Sequence, residues 1–311
     1  MRKRVSVVIP CYQSPSTLVS QVEAIYECLS SNPCVEEFEI ILVNDCSPTS
    51  KSTYIHAAGN LRPGVRTIEL SKNFGQHAAT LAGISVCKYE FVITVDDDGQ
   101  HPASEFEKLL DFMSDDLDLV YGVNSIPEHS RSRKFSSILF KKFISVLVRN
   151  ENAQRMSAFR LFRTSVLKDL NLNQLTGALL DVLLLQNTSS ISSVEVSFDK
   201  RHEGASNYNL RRLIALAGSI VLEYSVRPLR IATGIGLLSV LAGLTYSAYI
   251  VVGLILGYIT VPGYASLVSL VAIFSGVQLI TVGIIGEYVG KLFIRSQGLP
   301  AFRIKGEIAR D

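Results

Sequence analysis

From Ile231 to Gly286 the chain holds no Asp, Glu, Lys or Arg. A stretch so poor in charge is excluded from forming an ordinary water-facing surface. It divides at Gly257–Gly263, where Pro262 and two glycines form a turn. The flanking segments, 231–256 and 264–289, each exceed the ~20 apolar residues that cross a bilayer. Cysteine is also scarce. There are five, Cys11, Cys28, Cys34, Cys46 and Cys87. The odd count and the lack of any CxxC spacing argue against a disulfide framework and fit free thiols in a reducing compartment. Net charge is small, +2, which argues against a nucleic-acid partner. No repeat or low-complexity tract is visible. The first apolar run stops at Pro10, too short for a signal peptide, so the N-terminal domain is expected to stay on the side where it is made.

The charges that are present gather at the edges of the apolar block. Lys200, Arg201, Arg211, Arg212, Arg227 and Arg230 precede it; Lys291, Arg295, Arg303 and Lys305 follow it. Basic flanks on both sides predict a two-span membrane hairpin with both ends cytoplasmic. They would also attract anionic headgroups or a lipid phosphate. Asn209–Val226 carries Leu210, Leu213, Ile214, Ala217, Ile220 and Val221 at helical spacing with Arg211 and Arg212 opposite, a pattern suited to the membrane interface. The expected organisation is a cytoplasmic domain over 1–206, amphipathic juxtamembrane helices over 207–229, the hairpin over 230–290 and a cytoplasmic tail over 291–311. Glycines four apart, Gly253/Gly257 and Gly286/Gly290, allow close helix contact and suggest a homo-oligomer.

Ahead of the block the pattern is globular. Val5–Ile9, Phe38–Val43, Val65–Leu70, Phe91–Val95 and Leu117–Val123 read as strands. Thr17–Leu29, Gly75–Cys87 and Glu105–Met113 read as helices. Beyond Asn124 the alternation weakens. Arg131–Arg149 reads as a basic helix, Ala158–Phe162 and Ile191–Phe198 as strands, and Val166–Leu185 as mostly helical. Strands alternating with helices predict an α/β fold with a doubly wound, mostly parallel, Rossmann-like sheet. Ligands of such sheets sit outside the carboxyl ends of the strands. The unusual polar residues fall there: Pro10 to Gln13, Asn44 to Ser47, and Asp96 to Gln100.

Asp96 and Asp98 flank Asp97 at the end of an apolar strand. Residues two apart in extended chain point the same way, so the pair could offer oxygen ligands to Mg²⁺ or Mn²⁺. The alternative is an acidic turn closed by Gly99. Around it stand Val8-Ile9-Pro10-Cys11-Tyr12, Val43-Asn44-Asp45-Cys46-Ser47, Asn73-Phe74-Gly75-Gln76 and Gln100-His101-Pro102. In their order and spacing these resemble glycosyltransferase family 2, with the GT-A fold. Within it the chain is similar to the polyprenyl-phosphate glycosyltransferases, dolichyl-phosphate mannose synthase and bacterial relatives with a two-helix membrane tail. The resemblance covers nearly the whole chain.

The resemblance implies roles for the matching residues. Pro10 and Tyr12 would contact the nucleotide base, and Asp45 the base or ribose. Lys72, Asn73 and Asp97 would lie beside the nucleotide. Asp96 would bind ribose or metal, and Asp98 and Gln100 the metal on the diphosphate. Packing for Tyr12 and a turn role for Asp45 stay open as alternatives. Ser157-Ala158-Phe159-Arg160-Leu161-Phe162-Arg163 resembles the family's F-R-L-x-x-R segment. Arg201-His202-Glu203-Gly204-Ala205-Ser206-Asn207-Tyr208 resembles its R-x-x-G-x-S-x-Y segment. There Arg201, with Ser206 and Tyr208, would meet the lipid phosphate, since a planar guanidinium grips phosphate oxygens in pairs; an ordinary surface charge is the alternative. Arg131 and Arg133 are further lipid-phosphate candidates. Two departures stand out. Asn44 replaces an acid, which puts nucleotide preference in doubt, and Ala158 stands where the family often has an acid before F-R-L. Asp181 is a possible acid in the site, with a helical surface position as the expected reading and its alanine variant keeping transfer. His101 reads as a loop residue.

The implied reaction moves a sugar from a nucleotide diphosphate sugar, UDP by resemblance to the bacterial branch, to undecaprenyl or dolichyl phosphate, with inversion, at the cytoplasmic face of a bacterial inner membrane. Asp98 and Arg201 would carry the catalysis. A lipid monophosphate has a second pKa near ~6 and is already a nucleophile at neutral pH, so no base is required. A processive polysaccharide synthase would carry a Q-x-x-R-W segment; the chain has no tryptophan. A non-catalytic membrane adaptor would have lost Asp96, Asp98 and Gln100, which are present.

Overall fold

The computed structural model describes residues 2–124, 155–198, 227–257 and 263–309. The expected basic helix at 131–149, residues 207–226 of the juxtamembrane helices expected over 207–229, and Arg131, Arg133, Arg201, Ser206 and Tyr208 lie outside the described residues. The chain forms two compact units, one of residues 1–207 with 299–311, the other of residues 208–298.

The first unit is built on one eight-stranded mixed sheet. Its strands are β1 Lys3–Cys11, β2 Val35–Asn44, β3 Val65–Leu70, β4 Phe91–Thr94, β5 Leu119–Asn124, β6 Arg160–Arg163, β7 Ile191–Val196 and β8 Ile304–Ala309. Their order is β7-β5-β6-β4-β1-β2-β3-β8. β1 pairs in parallel with both β2 and β4, and β2 with β3. β6 runs antiparallel between β4 and β5, and β8 antiparallel along β3. The helices are α1 Leu18–Ser31, α2 Thr49–Gly59, α3 Gln76–Ser85, α4 Glu105–Phe112 and α5 Leu180–Asn187. Because consecutive strands depart from β1 in both directions, the chain reverses there, and a crevice opens at the carboxyl ends of β1, β2 and β4.

Side-chain spacing explains these elements. Leu18, Val22, Ile25 and Leu29 make one buried stripe on α1 against Val5, Val7 and Ile9 of β1. Each such side chain contributes about 1.5–3 kcal/mol when fully buried. On the other face α3 lies close against the sheet. A Cβ at Gly83 would stand 2.4 Å from Val8 Cγ1 and 2.9 Å from Val43 Cγ2, so only glycine permits this approach. It brings the start of α3 to the crevice.

Three expectations are corrected. α2 was not foreseen, because its buried residues are Ser52, Ile55, Ala58 and Gly59, too small to leave an apolar stripe. The stretch 166–185 is broken into 3-10 turns at Thr164–Leu167 and Leu172–Gln174 before α5, with Gly177 at φ 76° interrupting it. The region expected as a tail contributes β8. Its backbone stitches to the domain through Ala301 N donating to Asn173 O at 2.6 Å and Ser71 N to Arg303 O at 2.9 Å.

The second unit holds α6 Arg227–Ile255 and α7 Tyr264–Ser296. Within them Leu229–Gly253 and Ile273–Ile294 are long and apolar enough to cross a membrane. Their large side chains face outward, Leu238 and Leu279 at 68% and 72% exposure, as suits a lipid environment rather than a soluble core. The helices meet where Gly243 faces Phe274, its Cβ position 3.6 Å from Cζ. Gly286 and Gly290 face open space.

Candidate active site

Strand register brings three loops to one edge. Cys11 lies opposite Asn44, and Val95 N donates to Val8 O at 3.2 Å, so the residues after β1, β2 and β4 emerge together. Two of these loops carry non-glycine residues with left-handed backbone, Gln13 at φ 53° and Cys46 at φ 57°. Such conformations cost about 1–3 kcal/mol each and persist where surroundings hold them. Here Gln13 N donates to Ser47 Oγ at 3.0 Å, tying one strained loop to the other.

Between the loops lies a cleft of about 400 Å³, lined by Pro10, Cys11 and Tyr12, by Asp45, by Asn73, Gly75, Gln76 and Ala79, and by Asp96, Asp97 and Asp98. Pro10, Tyr12, Asp45, Asn73 and the three acids are thus brought together. Lys72 is not among the lining residues; its Nζ sits 4.9 Å from the centre of the Phe74 ring. Gln100 stands next to the cleft, bonded to Asp98.

The acids lie past the end of β4 in a turn, closed by Gly99 at φ 70°. The alternation expected of an extended strand therefore does not apply, and Asp97 turns to the cleft with its neighbours. Each acid has a different partner. Gln76 Nε2 donates to Asp96 Oδ1 at 2.7 Å, Ser14 Oγ donates to Asp97 Oδ2, and Gln100 Nε2 donates to Asp98 Oδ2 at 2.5 Å. Burial raises the Asp97 pKa, against the lowering effect of its Ser14 and Tyr12 hydrogen bonds. Gln21 Nε2 donates to Asp96 O at 2.9 Å, anchoring the turn to α1.

Asp45 is buried, and its two carboxylate oxygens accept Phe74 N at 2.7 Å and Gly75 N at 2.8 Å. It holds the loop that leads into α3. Gly75 at φ 91° needs the freedom only glycine has there. Asn44 points away from the cleft. Its Nδ2 donates to both Glu69 oxygens at 3.0 Å, and its Oδ1 accepts Ser47 N at 2.9 Å. An acid here would face Glu69, so the amide answers to local charge, and Asn44 is not among the residues lining the cleft.

A second, smaller hollow of about 70 Å³ shares Pro10, Gln76 and Asp96 with the cleft and reaches Thr94, Ala158, Arg160 and Asp181. Asp181 is therefore not a surface position. Its carboxylate pairs with the buried Arg160, and Tyr121 Oη donates to the same oxygen at 3.0 Å. Arg160 Nε donates to Thr94 Oγ1 at 2.9 Å. Burial first, and Asp181 second, drive the Tyr121 phenol well above its ordinary value. His101 packs on Phe159 and Phe198, ring centres 4.9 and 4.5 Å away, and burial holds its pKa down to about 4. The sequence could have pointed to Ser14, Gln21 and Gln76 only through their nearness to the loops; nothing in it aims them at the acids.

A cleft at the carboxyl ends of β1, β2 and β4, where the chain reverses, is where a sheet of this kind takes its ligand, and comparison decides the family. Residues 6–170 match the glycosyl transferase family 2 model. The chain belongs to glycosyl transferase family 2. Residues 227–292 of the transferase match the GtrB C-terminal hairpin. It is 29% identical over 97% of its length to the undecaprenyl-phosphate 4-deoxy-4-formamido-L-arabinose transferase of Aeromonas hydrophila, covering 93% of that protein. It is 30% identical over 97% to the enzyme of that name from Pseudomonas savastanoi, covering 90%. Glucosyl-3-phosphoglycerate synthase of Mycobacterium tuberculosis, in complex with Mn²⁺, UDP and phosphoglyceric acid, superposes at a TM-score of 0.53 over 71% of this chain and 76% of that one, at 16% identity. That likeness is one of fold.

A divalent cation is implied by the family. Among the described residues no three His, Cys, Asp or Glu are grouped to hold a metal. Mg²⁺ and Mn²⁺ need less from the protein, because one or two carboxylates and substrate phosphates complete their shell. Asp96 and Asp98 line one cleft and Gln100 adjoins Asp98, an all-oxygen set once the Gln100 amide presents its oxygen. These residues fit the ion.

Proposed function

We propose that the transferase moves a sugar from a UDP-sugar to undecaprenyl or dolichyl phosphate at the cytoplasmic face of a bacterial inner membrane, with a divalent cation and inversion at the anomeric carbon. The observation that carries this reading is the cleft holding Asp96, Asp97 and Asp98 opposite Pro10 and Tyr12 in a chain that also bears the GtrB hairpin. The acceptor class is supported by relatives named for undecaprenyl phosphate that match nearly end to end. The donor and ion are supported by the UDP and Mn²⁺ of the mycobacterial synthase of like fold.

In this mechanism Asp96, Asp98 and Gln100 hold the cation. When bound, the ion supplies positive charge to a diphosphate leaving group. Tyr12, 47% exposed on the cleft wall, offers a face to the base. Asn73 and Asp97 border the nucleotide, and Asp45 keeps the Asn73 loop in place. The acceptor phosphate is dianionic near neutral pH, so the protein's work is to bring two anions into line and screen their repulsion. Arg201, with Ser206 and Tyr208 and with Arg131 and Arg133, does this on the acceptor side. Ala158 in place of an acid agrees with a reaction that uses no base.

β8 follows the hairpin in sequence and pairs with β3 of the first unit, which supports a reading with both ends of the hairpin on one side. The test incubates purified protein and Mn²⁺ with radiolabelled UDP- and GDP-sugars and polyprenyl phosphate. Label passing into the organic phase identifies donor and acceptor together; none passing with any donor overturns the reading.

A further inference from the structure

The hollow beside Asp96 shares Pro10, Gln76 and Asp96 with the cleft and reaches past them to Thr94, Arg160 and Asp181, to which the mechanism above gives no role. Its volume of about 70 Å³ exceeds the ~10–15 Å³ that one water occupies and suits one small substituent. Its floor is polar and fixed. Arg160, 4% exposed, is paired with Asp181, and Asp181 also accepts the Tyr121 hydroxyl. Thr94 Oγ1 is spent twice, accepting Arg160 Nε at 2.9 Å and donating to Ala158 O at 2.8 Å. The hollow therefore offers an incoming group acceptor capacity from the remaining lone pairs of the Asp181 carboxylate, beside the imidazole of His77, whose pKa burial lowers. The Arg160 charge is already balanced, and Asp96 adds a further negative charge at the mouth.

We propose that the Asp181–Arg160–Tyr121 compartment is the donor-sugar reader of this transferase, accepting a neutral substituent that donates a hydrogen bond, a hydroxyl or an amide N–H, and rejecting a carboxylate. This rests on the donor site proposed above, whose cleft it joins. An N–H or O–H meets the Asp181 oxygens directly. A uronic carboxylate would find the Arg160 charge already spent on Asp181 and would lose its water without gaining a cation. Specificity of this kind is large, because a mismatched group leaves buried polar atoms unpaired.

The test measures binding of UDP, UDP-glucose, UDP-N-acetylglucosamine and UDP-glucuronic acid, with Mn²⁺, to the full-length protein in detergent. A neutral UDP-sugar is expected to bind about 10-fold more tightly than UDP, the worth of one hydrogen bond to a charged group, and UDP-glucuronic acid more weakly than UDP-glucose. Ala158→Leu fills the hollow from a half-exposed position. It should leave UDP affinity unchanged and erase the preference for the neutral sugar. Asp181→Asn uncovers the Arg160 charge and should shift preference toward UDP-glucuronic acid, a change that a purely structural role would not produce. Should Asp181→Asn fail to fold, Ala158→Leu decides alone. An unchanged ratio of UDP-sugar to UDP affinity in Ala158→Leu overturns the compartment as a reader. Failure of the wild-type protein to bind UDP at all strikes instead at the donor site on which it rests.

Discussion

Arg66 Nη1 donates to Glu307 Oε1 at 2.7 Å although 241 residues separate them. Both candidate membrane spans lie in that interval. The same guanidinium reaches Glu39 Oε2 at 3.0 Å and Val86 O at 2.6 Å, so it joins β2, β3, β8 and the end of α3. The two carboxylates are not equivalent. Glu39 is 5% exposed as a side chain and Glu307 49%. Arg66→Met leaves Glu39 buried without its cation, a loss of about 3–5 kcal/mol. Glu307→Ala removes a half-exposed pair and costs at most about 1 kcal/mol. Unfolding of detergent-purified protein in urea measures both, and equal costs would contradict this ranking.

Asp98→Ala and Arg201→Ala are expected to abolish lipid-linked sugar transfer, at least about 100-fold for each, because each removes charge that stabilises phosphate in the transition state. Folding stability should change little in Asp98→Ala, whose carboxylate is partly open to solvent. The rate of label transfer at saturating donor and Mn²⁺ is the measurement. Full activity in Asp98→Ala would rule out the cation assignment.

Tyr12→Ala should weaken UDP binding by about 1–3 kcal/mol, the worth of stacking a base on an aromatic ring. The ring is 47% exposed, so stability should be unaffected. Calorimetric titration with UDP separates this reading from packing, which predicts a lower melting temperature and unchanged affinity.

The thiols should react in a defined order. Burial pushes Cys28 up to about 11, with Glu107 adding to it, and Cys87 up to about 12, with Glu39 adding to it. Cys11 is also raised well above its ordinary value, by burial first and then by Asp97. The thiolate is the nucleophile, so near pH 8 these groups are protonated and slow, and their rates rise only as pH approaches those values. Cys46 is exposed and should be alkylated first. Mass spectrometry after a short iodoacetamide pulse at pH 8 reads the order; Cys87 labelled before Cys46 would refute it.

Much of this was legible in the sequence. β3 falls at Val65–Leu70, as its β-branched run predicts, and the cleft-lining residues Pro10, Tyr12, Asp45, Asn73 and Asp96 to Asp98 were identifiable from strand ends and family motifs. Other features were not. In β8, Ile304-Lys-Gly-Glu-Ile-Ala has no apolar run, and it is a strand because the edge of β3 offers unpaired amides and carbonyls. Asp181 sits in Leu180-Asp-Val-Leu-Leu-Leu-Gln-Asn, where apolar residues surround the acid on every side. Periodicity there does not say which way a carboxylate points; the buried Arg160 does.

The sequence by itself determined the class of molecule: a charge-free block long enough to span a membrane twice, preceded by alternating strands and helices with acids at a strand end. These are one-dimensional properties, set by composition and period. Only the tertiary structure decided which polar residues meet, that Asn44 turns to Glu69, that Asp45 holds a loop, that Arg160 and Asp181 close a hollow beside Asp96, and that the last strand rejoins the first unit. Such pairings depend on strand register and on where burial leaves a charge without water, and neither is written in local spacing.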